Sequence, residues 1–159
     1  MKLVGLDSST FCTALSFWED GKYLEYSILD LHKSKNYKTK WDRIDPMIFH
    51  ILNKLNEFQP DVVYQEDSWA GKDMDTLKAL TNILGAVRGW CLVNNKTYYK
   101  VMPTSWRATL KLNKSKAKRE ELKQITKDYI ESKYGFECPT DDVSDAIAIG
   151  EHGIIKEGY

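Results

Sequence analysis

Two short, mainly apolar runs in this sequence each end in an acidic residue, and a later apolar segment begins with two more. Asp7 and Glu66 each close a run that has the character of a buried strand. Asp142 and Asp145 open a segment whose apolar spacing predicts a helix with one buried face. Burying a carboxylate without a counter-ion is strongly unfavourable. Four carboxylates that converge on one point therefore indicate a bound divalent cation.

The length and composition of the chain favour one ordinary globular domain. At 159 residues, with 42% apolar and 29% charged residues, we expect a single domain over 1–159. The N-terminal apolar stretch is too short for a signal peptide, and no segment is long enough to span a membrane. Cys12, Cys91 and Cys138 have neither paired nor zinc-type spacing, which predicts reduced thiols and a cytoplasmic location.

The order of periodic segments predicts an α/β fold. Strands are predicted over 2–7, 11–18, 23–29, 62–66 and 97–102. Helices are predicted from Asp45-Pro46 to Pro60, over 73–93, 103–110 and 114–134, and from Pro139-Thr140-Asp141 onward. Three antiparallel strands followed by strands that alternate with helices predict a mixed five-stranded sheet, with the last two strands parallel and helices on both faces.

The acidic residues of the last helix have different expected roles. Asp142 and Asp145 are one turn apart and share a face, so both can reach one ion or an adjacent pair. Asp141 is interpreted as the helix cap, bonded to backbone amides rather than to metal. Asp7 and Glu66 would be neighbours if the fourth strand pairs with the first. An all-oxygen set of ligands favours Mg²⁺, with Mn²⁺ as a substitute, over zinc.

The net charge is zero, but the charge is unevenly distributed. Basic residues dominate 100–127, acidic residues dominate 128–151, and a smaller basic stretch covers 33–43. Such an uneven charge distribution is typical of a protein that binds a polyanion beside an acidic, metal-loaded site. The alternative is that these charges only form a solvated helix face.

The segment 73–93 has a broader apolar arc than a surface helix needs. One stripe consists of Leu77, Leu80, Leu84, Val87 and Cys91, and an adjacent stripe consists of Ala79, Ile83, Ala86 and Trp90. A symmetric contact between two subunits is the favoured explanation of the second stripe, and burial beneath another helix of the same chain is the alternative.

Three segments resemble the acidic motifs of RuvC-type Holliday-junction resolvases, which are nucleases of the RNase H-like superfamily. They are Leu3-Val4-Gly5-Leu6-Asp7-Ser8-Ser9-Thr10, Gln65-Glu66-Asp67 and Asp142-Val143-Ser144-Asp145-Ala146-Ile147-Ala148-Ile149-Gly150. The resemblance covers almost the whole chain in order. It implies a homodimeric endonuclease that resolves four-way and other branched DNA junctions, and the two apolar stripes of 73–93 place the expected dimer contact on that helix. Its metal-binding and catalytic residues would be Asp7, Glu66, Asp142 and Asp145, with Mg²⁺ as the cofactor.

The same resemblance implies residues that contact DNA. Trp69, three residues after Glu66, matches an aromatic that wedges into the junction centre; packing in the core or at a dimer contact is the alternative. Basic residues near the penultimate helix would contact phosphates, with Lys118 as the first candidate and Lys116, Lys111 and Arg107 behind it. The tyrosine- and lysine-rich sequence suits a bacteriophage member of the family.

Three other functions compete with this interpretation. Gly5 to Thr10 also resembles the first phosphate loop of sugar kinases and actin-like ATPases, but the chain lacks their second glycine-rich loop and second domain. A nuclease of the same superfamily with another nucleic-acid substrate is a second alternative, and a non-catalytic junction-binding module is a third.

His32, His50 and His152 are not spaced as ligands or catalytic partners, and His152 is expected on the surface.

Overall fold

The computed structural model describes residues 1–67 and 73–159. Its five strands are β1 (Lys2–Ser8), β2 (Cys12–Glu19), β3 (Lys22–Asp30), β4 (Val62–Glu66) and β5 (Thr97–Val101). Its five helices are α1 (Lys40–Phe58), α2 (Met74–Val93), α3 (Pro103–Thr109), α4 (Arg119–Tyr134) and α5 (Asp141–Lys156). The strands form one sheet in the order β3-β2-β1-β4-β5.

The central strand β1 determines where two of the acidic residues lie. It pairs antiparallel with β2 and parallel with β4, and β5 continues the parallel side. Leu6 pairs with Gln65, so Asp7 and Glu66 follow at the same end of two neighbouring strands. The predicted mixed sheet, with its fourth strand beside its first, is confirmed.

Alternating side chains of the sheet enter two separate cores. One core lies between the sheet and helices α1 and α2, and it includes Val4, Leu6, Ile51 and Val87. The other lies between the sheet and the remaining helices, with α5 packed across β1 and β2. Both faces of the sheet are therefore covered, as predicted, and β1 is buried on each side.

Two glycines allow α5 to approach the sheet closely. A Cβ atom on Gly5 would lie 2.4 Å from the carbonyl oxygen of Ala146 and from the amide nitrogen of Gly150. A Cβ atom on Gly150 would lie 2.0 Å from Nε1 of Trp18. The Ser16 hydroxyl donates a hydrogen bond of 2.7 Å to the Ala146 carbonyl. These contacts hold the middle of α5 against the middle of β1.

The first helix begins earlier than Asp45-Pro46 predicts. Thr39 caps it, with a reciprocal capping box between the side chains of Thr39 and Asp42, so α1 begins at Lys40 and Pro46 lies inside it. An interior proline removes one helical hydrogen bond. Burial of Ile44 and Met47 on either side of Pro46 offsets that loss.

Two other helix starts also differ from the prediction. The basic helix begins at Arg119 rather than Lys114, because Lys116 has a left-handed backbone and Lys118 is extended as the N-cap. The last helix is capped by Thr140, whose side chain accepts a hydrogen bond from the Val143 amide. Asp141 is therefore not the cap; its carboxylate pairs instead with Nζ of Lys123 at 3.1 Å.

Helix α2 packs against α1 within the same chain. The indole Nε1 of Trp90 donates a hydrogen bond of 2.8 Å to Oδ1 of Asn56 on α1. This intrachain contact accounts for Trp90 at the end of the second apolar stripe. The opposite face remains exposed, including Met74, Leu92 and the open positions Gly85 and Gly89.

None of the helices at 1–67 and 73–159 combines the length and the apolar character needed to cross a membrane. Cys12, Cys91 and Cys138 are all free and buried.

Candidate active site

The four carboxylates singled out in the sequence line one cavity of about 840 Å³. Asp7 is on β1, Glu66 ends β4, and Asp142 and Asp145 lie in the first turns of α5. The same cavity is bordered by Ser8, Ser9, Thr10, Asp67, Asp73, Thr76, Leu80, Pro103, Arg107, Arg119, Leu122 and Lys123. Residues that are far apart in sequence thus meet at one end of the sheet.

Burial makes ionisation of these acids unfavourable. Burial raises the pKa of Asp7 well above its usual value, and the charges of Glu66, Asp142 and Asp145 raise it further. Burial also raises the pKa of Asp145 to about 8, again with a contribution from Glu66. The four groups therefore interact as one electrostatic unit, and they cannot all be charged at low cost without a cation.

The pKa values of Glu66 and Asp142 are also shifted, but each of these carboxylates has neighbours that favour its charged form. Burial raises the pKa of Glu66, against a hydrogen bond from Trp106 and the charge of Arg107, which lower it. The indole Nε1 of Trp106 lies 2.7 Å from Oε2 of Glu66. Burial raises the pKa of Asp142, against the influence of the neighbouring Cys12 thiol and the charge of Lys123, which lower it. Trp106 was not predicted as part of the site.

A buried ion pair in the cavity is incompletely satisfied. Nη2 of Arg107 lies 3.8 Å from Oδ2 of Asp145, which is a long contact between a largely buried guanidinium and a buried carboxylate. Within the described part of the chain, Nε of Arg107 and Oδ1 of Asp145 have no hydrogen-bond partner. Unpaired buried polar atoms are costly, so this pair is suited to receive a ligand on each side.

The donor set fits a hard divalent cation. It consists of carboxylate oxygens, which Mg²⁺ and Mn²⁺ prefer, and it includes the unpartnered Oδ1 of Asp145. Among residues 1–67 and 73–159, no three Asp, Glu, His or Cys side chains already converge as a finished cluster of metal ligands. The carboxylates therefore surround a shared space, and their side chains would have to turn inward to coordinate an ion.

The basic residues beside the cavity are only partly those expected from the sequence. Arg107 lines it, as do Arg119 and Lys123 of α4. Lys111, Lys116 and Lys118 are exposed and lie outside the lining of the cavity. Arg119 and Lys123 did not stand out in a run of similar charges. The signal that distinguishes them is their i, i+4 spacing, which puts both on one face of α4.

Two other sequence expectations have different outcomes. Trp69 lies outside the described residues, so its expected place at the junction centre stays a prediction. His152 was expected on the surface, but it is 4% exposed. It packs edge-on against Tyr64, and Nδ1 lies 2.9 Å from Oγ1 of Thr109. Because α5 buries nearly its whole circumference, its second half offers His152 no surface position.

The sequence by itself matches no protein-family model and no functionally curated protein. Solved structures do match. RuvC of T. thermophilus, solved with a Holliday junction substrate, has a TM-score of 0.72 at 17% identity, covering 99% of this chain and 97% of that one. Fowlpox virus resolvase, solved with Holliday junction DNA, has a TM-score of 0.68 at 14% identity and full coverage of both chains.

A third structural neighbour extends the same group. The yeast mitochondrial Holliday junction resolvase has a TM-score of 0.54 at 15% identity, covering 98% of this chain and 80% of that one. The three neighbours come from a bacterium, a virus and a mitochondrion, and each aligns with almost all of this chain. The chain therefore has the RNase H-like fold of RuvC-type Holliday junction resolvases.

Proposed function

We propose that this protein is a divalent-metal-dependent endonuclease that resolves four-way and other branched DNA junctions. The observation that carries the proposal is the meeting of Asp7, Glu66, Asp142 and Asp145 around one cavity that is bordered by cationic side chains. Carboxylates and cations side by side suit a polyanionic substrate whose reacting phosphate sits over a metal site. The fold shared with junction resolvases supports the choice of branched DNA.

The reaction is hydrolysis of a phosphodiester by water, which leaves a 5′-phosphate and a 3′-hydroxyl. Asp7, Glu66, Asp142 and Asp145 would hold Mg²⁺, or Mn²⁺ in its place, and the bound metal would activate the attacking water and stabilise the leaving oxygen. The raised pKa of Asp7 and Asp145 means that these side chains give up protons when a cation binds.

The cations beside the cavity would hold the DNA backbone. Arg107, Arg119 and Lys123 border the carboxylates and suit the phosphates nearest the cut. Lys111, Lys116 and Lys118 are exposed on the approach to α4 and suit phosphates farther along the arm. Trp69 would stack on an unpaired base at the junction centre.

A homodimer through α2 would supply two active sites for two opposed strands. The exposed face of α2 combines apolar Met74 and Leu92 with Gly85 and Gly89, at which an added Cβ would meet nothing within 4 Å. Small residues allow a second helix to approach closely, and a symmetric pair would match the two-fold symmetry of a four-way junction.

Cleavage of labelled DNA tests the activity. A synthetic four-way junction, a fork and a linear duplex are incubated with the protein in Mg²⁺ or in EDTA, and with Asp7→Asn. We expect symmetric, metal-dependent nicks in the junction, and we expect the variant to bind the junction without cutting it, because binding rests on cations that contact phosphates. Asp128→Asn, an exposed acid on α4, serves as the matched control.

Each other result supports a different function. Cleavage of the fork or the duplex alone would favour a nuclease with another substrate. Tight junction binding without cleavage in Mg²⁺ or Mn²⁺ would favour a non-catalytic binding module. Loss of junction binding by Asp7→Asn would contradict the roles assigned to the carboxylates.

The oligomeric state is tested separately. Sedimentation velocity should give a dimer for the unmodified protein and a monomer for Gly89→Arg, because the arginine would fill the space that a second helix needs. Asn53→Arg, at an exposed position on α1, provides a comparison of equal charge outside α2. A monomer at all concentrations in the unmodified protein would contradict dimerisation.

A further inference from the structure

An aromatic pair stands beside the cavity and has no role in the chemistry described above. Phe11, in the loop between β1 and β2, is 39% exposed although it is large and apolar. Its ring stacks on that of His32, with centroids 4.9 Å apart and planes inclined by 14°. The His32 side chain is itself 53% exposed. Single exposed apolar residues are common on protein surfaces and need no explanation. Two exposed rings that stack on each other form a continuous apolar surface, which calls for one.

The pair is held rigidly from beneath. The guanidinium of buried Arg43 lies 3.8 Å from the centre of the Phe11 ring. Arg43 is fixed in turn by hydrogen bonds to the Thr10 carbonyl at 2.6 Å and to the Tyr37 carbonyl at 3.3 Å. Nδ1 of His32 lies 2.6 Å from Oδ1 of Asp30.

The backbone around Phe11 is equally constrained. Its amide and that of Cys12 both donate to Oγ of Ser9, at 3.2 Å and 3.0 Å. Its carbonyl accepts a hydrogen bond of 2.8 Å from the Leu31 amide, which ties this loop to the end of β3. Both rings are therefore fixed in place before any ligand arrives, so little conformational entropy would be lost on binding.

The position of the pair relates it to the carboxylates. Ser9 and Thr10, the two residues before Phe11, line the cavity. Cys12, the residue after it, begins β2, and Ala14 of that strand pairs with Asp7. The surface formed by Phe11 and His32 thus adjoins the proposed cleavage site at the β1–β2 loop. Of the ligands that reach such a site, an unpaired nucleobase matches a flat aromatic surface underlain by a cation.

We propose that Phe11 and His32 form a stacking platform for an unpaired nucleobase of the branched DNA, next to the strand that is cut. This inference rests on the proposed function and adds a second base-binding position, separate from Trp69. Stacking on a π-face is tolerant of sequence. The platform would therefore favour DNA that exposes unpaired bases near the branch, whatever their identity.

The experiment measures both the affinity for the junction and the distance of its bases from the two rings. It uses the Asp7→Asn variant, which is expected to bind the junction without cutting it. Junction dissociation constants are measured for Phe11→Leu and His32→Ala, and 5-iodouracil near the branch point is photo-crosslinked to the protein. Phe11→Leu keeps an apolar side chain but removes the π-face. Phe49→Leu is the matched control, because Phe49 is 68% exposed on α1. Since His32 is exposed, its replacement leaves the folded core intact.

We expect Phe11→Leu and His32→Ala each to weaken junction binding by about fivefold or more, and Phe49→Leu to leave it unchanged. Crosslinks should map to Phe11 or His32. Junction binding that is unaffected by both variants, without crosslinks at these residues, would overturn the platform while leaving the proposed function intact. Failure of the unmodified protein to bind or cut any junction would overturn both.

Discussion

The indole Nε1 of Trp106, in the middle of α3, donates a hydrogen bond of 2.7 Å to Oε2 of Glu66. Trp106 is completely buried and Glu66 partly so, and the bond fixes the orientation of the carboxylate at the edge of the cavity. It also acts to lower the pKa of Glu66, against burial, which raises it. The ring therefore both fills the core and positions a group of the candidate active site.

Trp106→Phe separates these two roles. It should lower cleavage by about tenfold, which corresponds to about 1.4 kcal/mol in the activation free energy, and shift the pH profile of cleavage upward, because Glu66 loses a donor that favours its charged form. Trp18→Phe is the control, since Trp18 is also buried and donates to Oγ of Ser16 at 2.9 Å. Both variants should lose about 1–3 kcal/mol of stability. Equal effects on cleavage would contradict a positioning role for Trp106.

The stability of the metal-free protein should fall as the pH rises. Burial raises the pKa of Asp145 from 3.8 to about 8, so between these values the folded chain keeps a proton that the unfolded chain gives up. The free energy of unfolding is then highest, with respect to this group, below pH 4 and declines through pH 8. Urea denaturation in EDTA should show a shallower decline for Asp145→Asn.

The same variant should be more stable than the unmodified protein at pH 8 in EDTA, by more than about 1 kcal/mol, since one unit of pKa is worth about 1.4 kcal/mol. Asp128→Asn, at an exposed position, should follow the unmodified protein. An unchanged pH slope for Asp145→Asn would mean that this carboxyl is not the group that titrates.

Divalent cations should stabilise the folded chain. Mg²⁺ at ten times its dissociation constant would add about 1.4 kcal/mol to the free energy of unfolding. Differential scanning calorimetry should record a higher unfolding temperature in Mg²⁺ than in EDTA, and Asp7→Asn should abolish most of the difference. A rise of the same size in the Asp7→Asn variant would indicate that the ion binds elsewhere.

Gly150 and Gly85 are both interior helix glycines, but alanine should act on them in opposite directions. Gly150→Ala would drive a methyl group to 2.0 Å from Nε1 of Trp18 and should cost about 1–3 kcal/mol by overpacking. Within one subunit the added methyl of Gly85→Ala meets open space, so on the monomeric Gly89→Arg background it should gain up to about 1 kcal/mol from helix propensity. Thermal denaturation distinguishes the two, and stabilisation by Gly150→Ala would contradict the close approach of α5.

Trp69 is predicted to open the junction centre, and a comparison of substrates tests this role. Trp69→Ala should slow cleavage of an intact four-way junction by about fivefold or more, and should affect a junction with unpaired bases at its centre less, because that substrate needs no wedge. Equal losses on both substrates would contradict the wedge.

The positions of the carboxylates were predictable because strand ends and helical spacing are local signals. Asp7 and Glu66 each lie at the end of a short strand, and the pairing of those strands brings them together. Asp142 and Asp145 share a helix face by spacing alone. Their neighbours were not predictable in this way. The bond from Trp106 to Glu66 depends on how α3 packs, and no sequence period describes that packing.

The predicted start of a helix was wrong where one local signal overrode another. Asp45-Pro46 is a good helix start, but the capping box of Thr39 and Asp42 lies upstream and the helix continues through the proline.

The choice among the basic residues that border the cavity was incomplete for a different reason. A run of similar charges gives no indication of which members turn toward a cavity, and Arg119 and Lys123 do so because α4 packs along α5.

The hydrogen bond from Ser16 to the Ala146 carbonyl joins residues 130 positions apart. During translation, β1 to β5 leave the ribosome before α5, and a nascent chain that lacks this helix holds only half of the acidic groups. The proposed metal site therefore cannot assemble on a partial product. A nuclease of the kind proposed above would thereby be inactive until synthesis has passed Asp145, without any inhibitor.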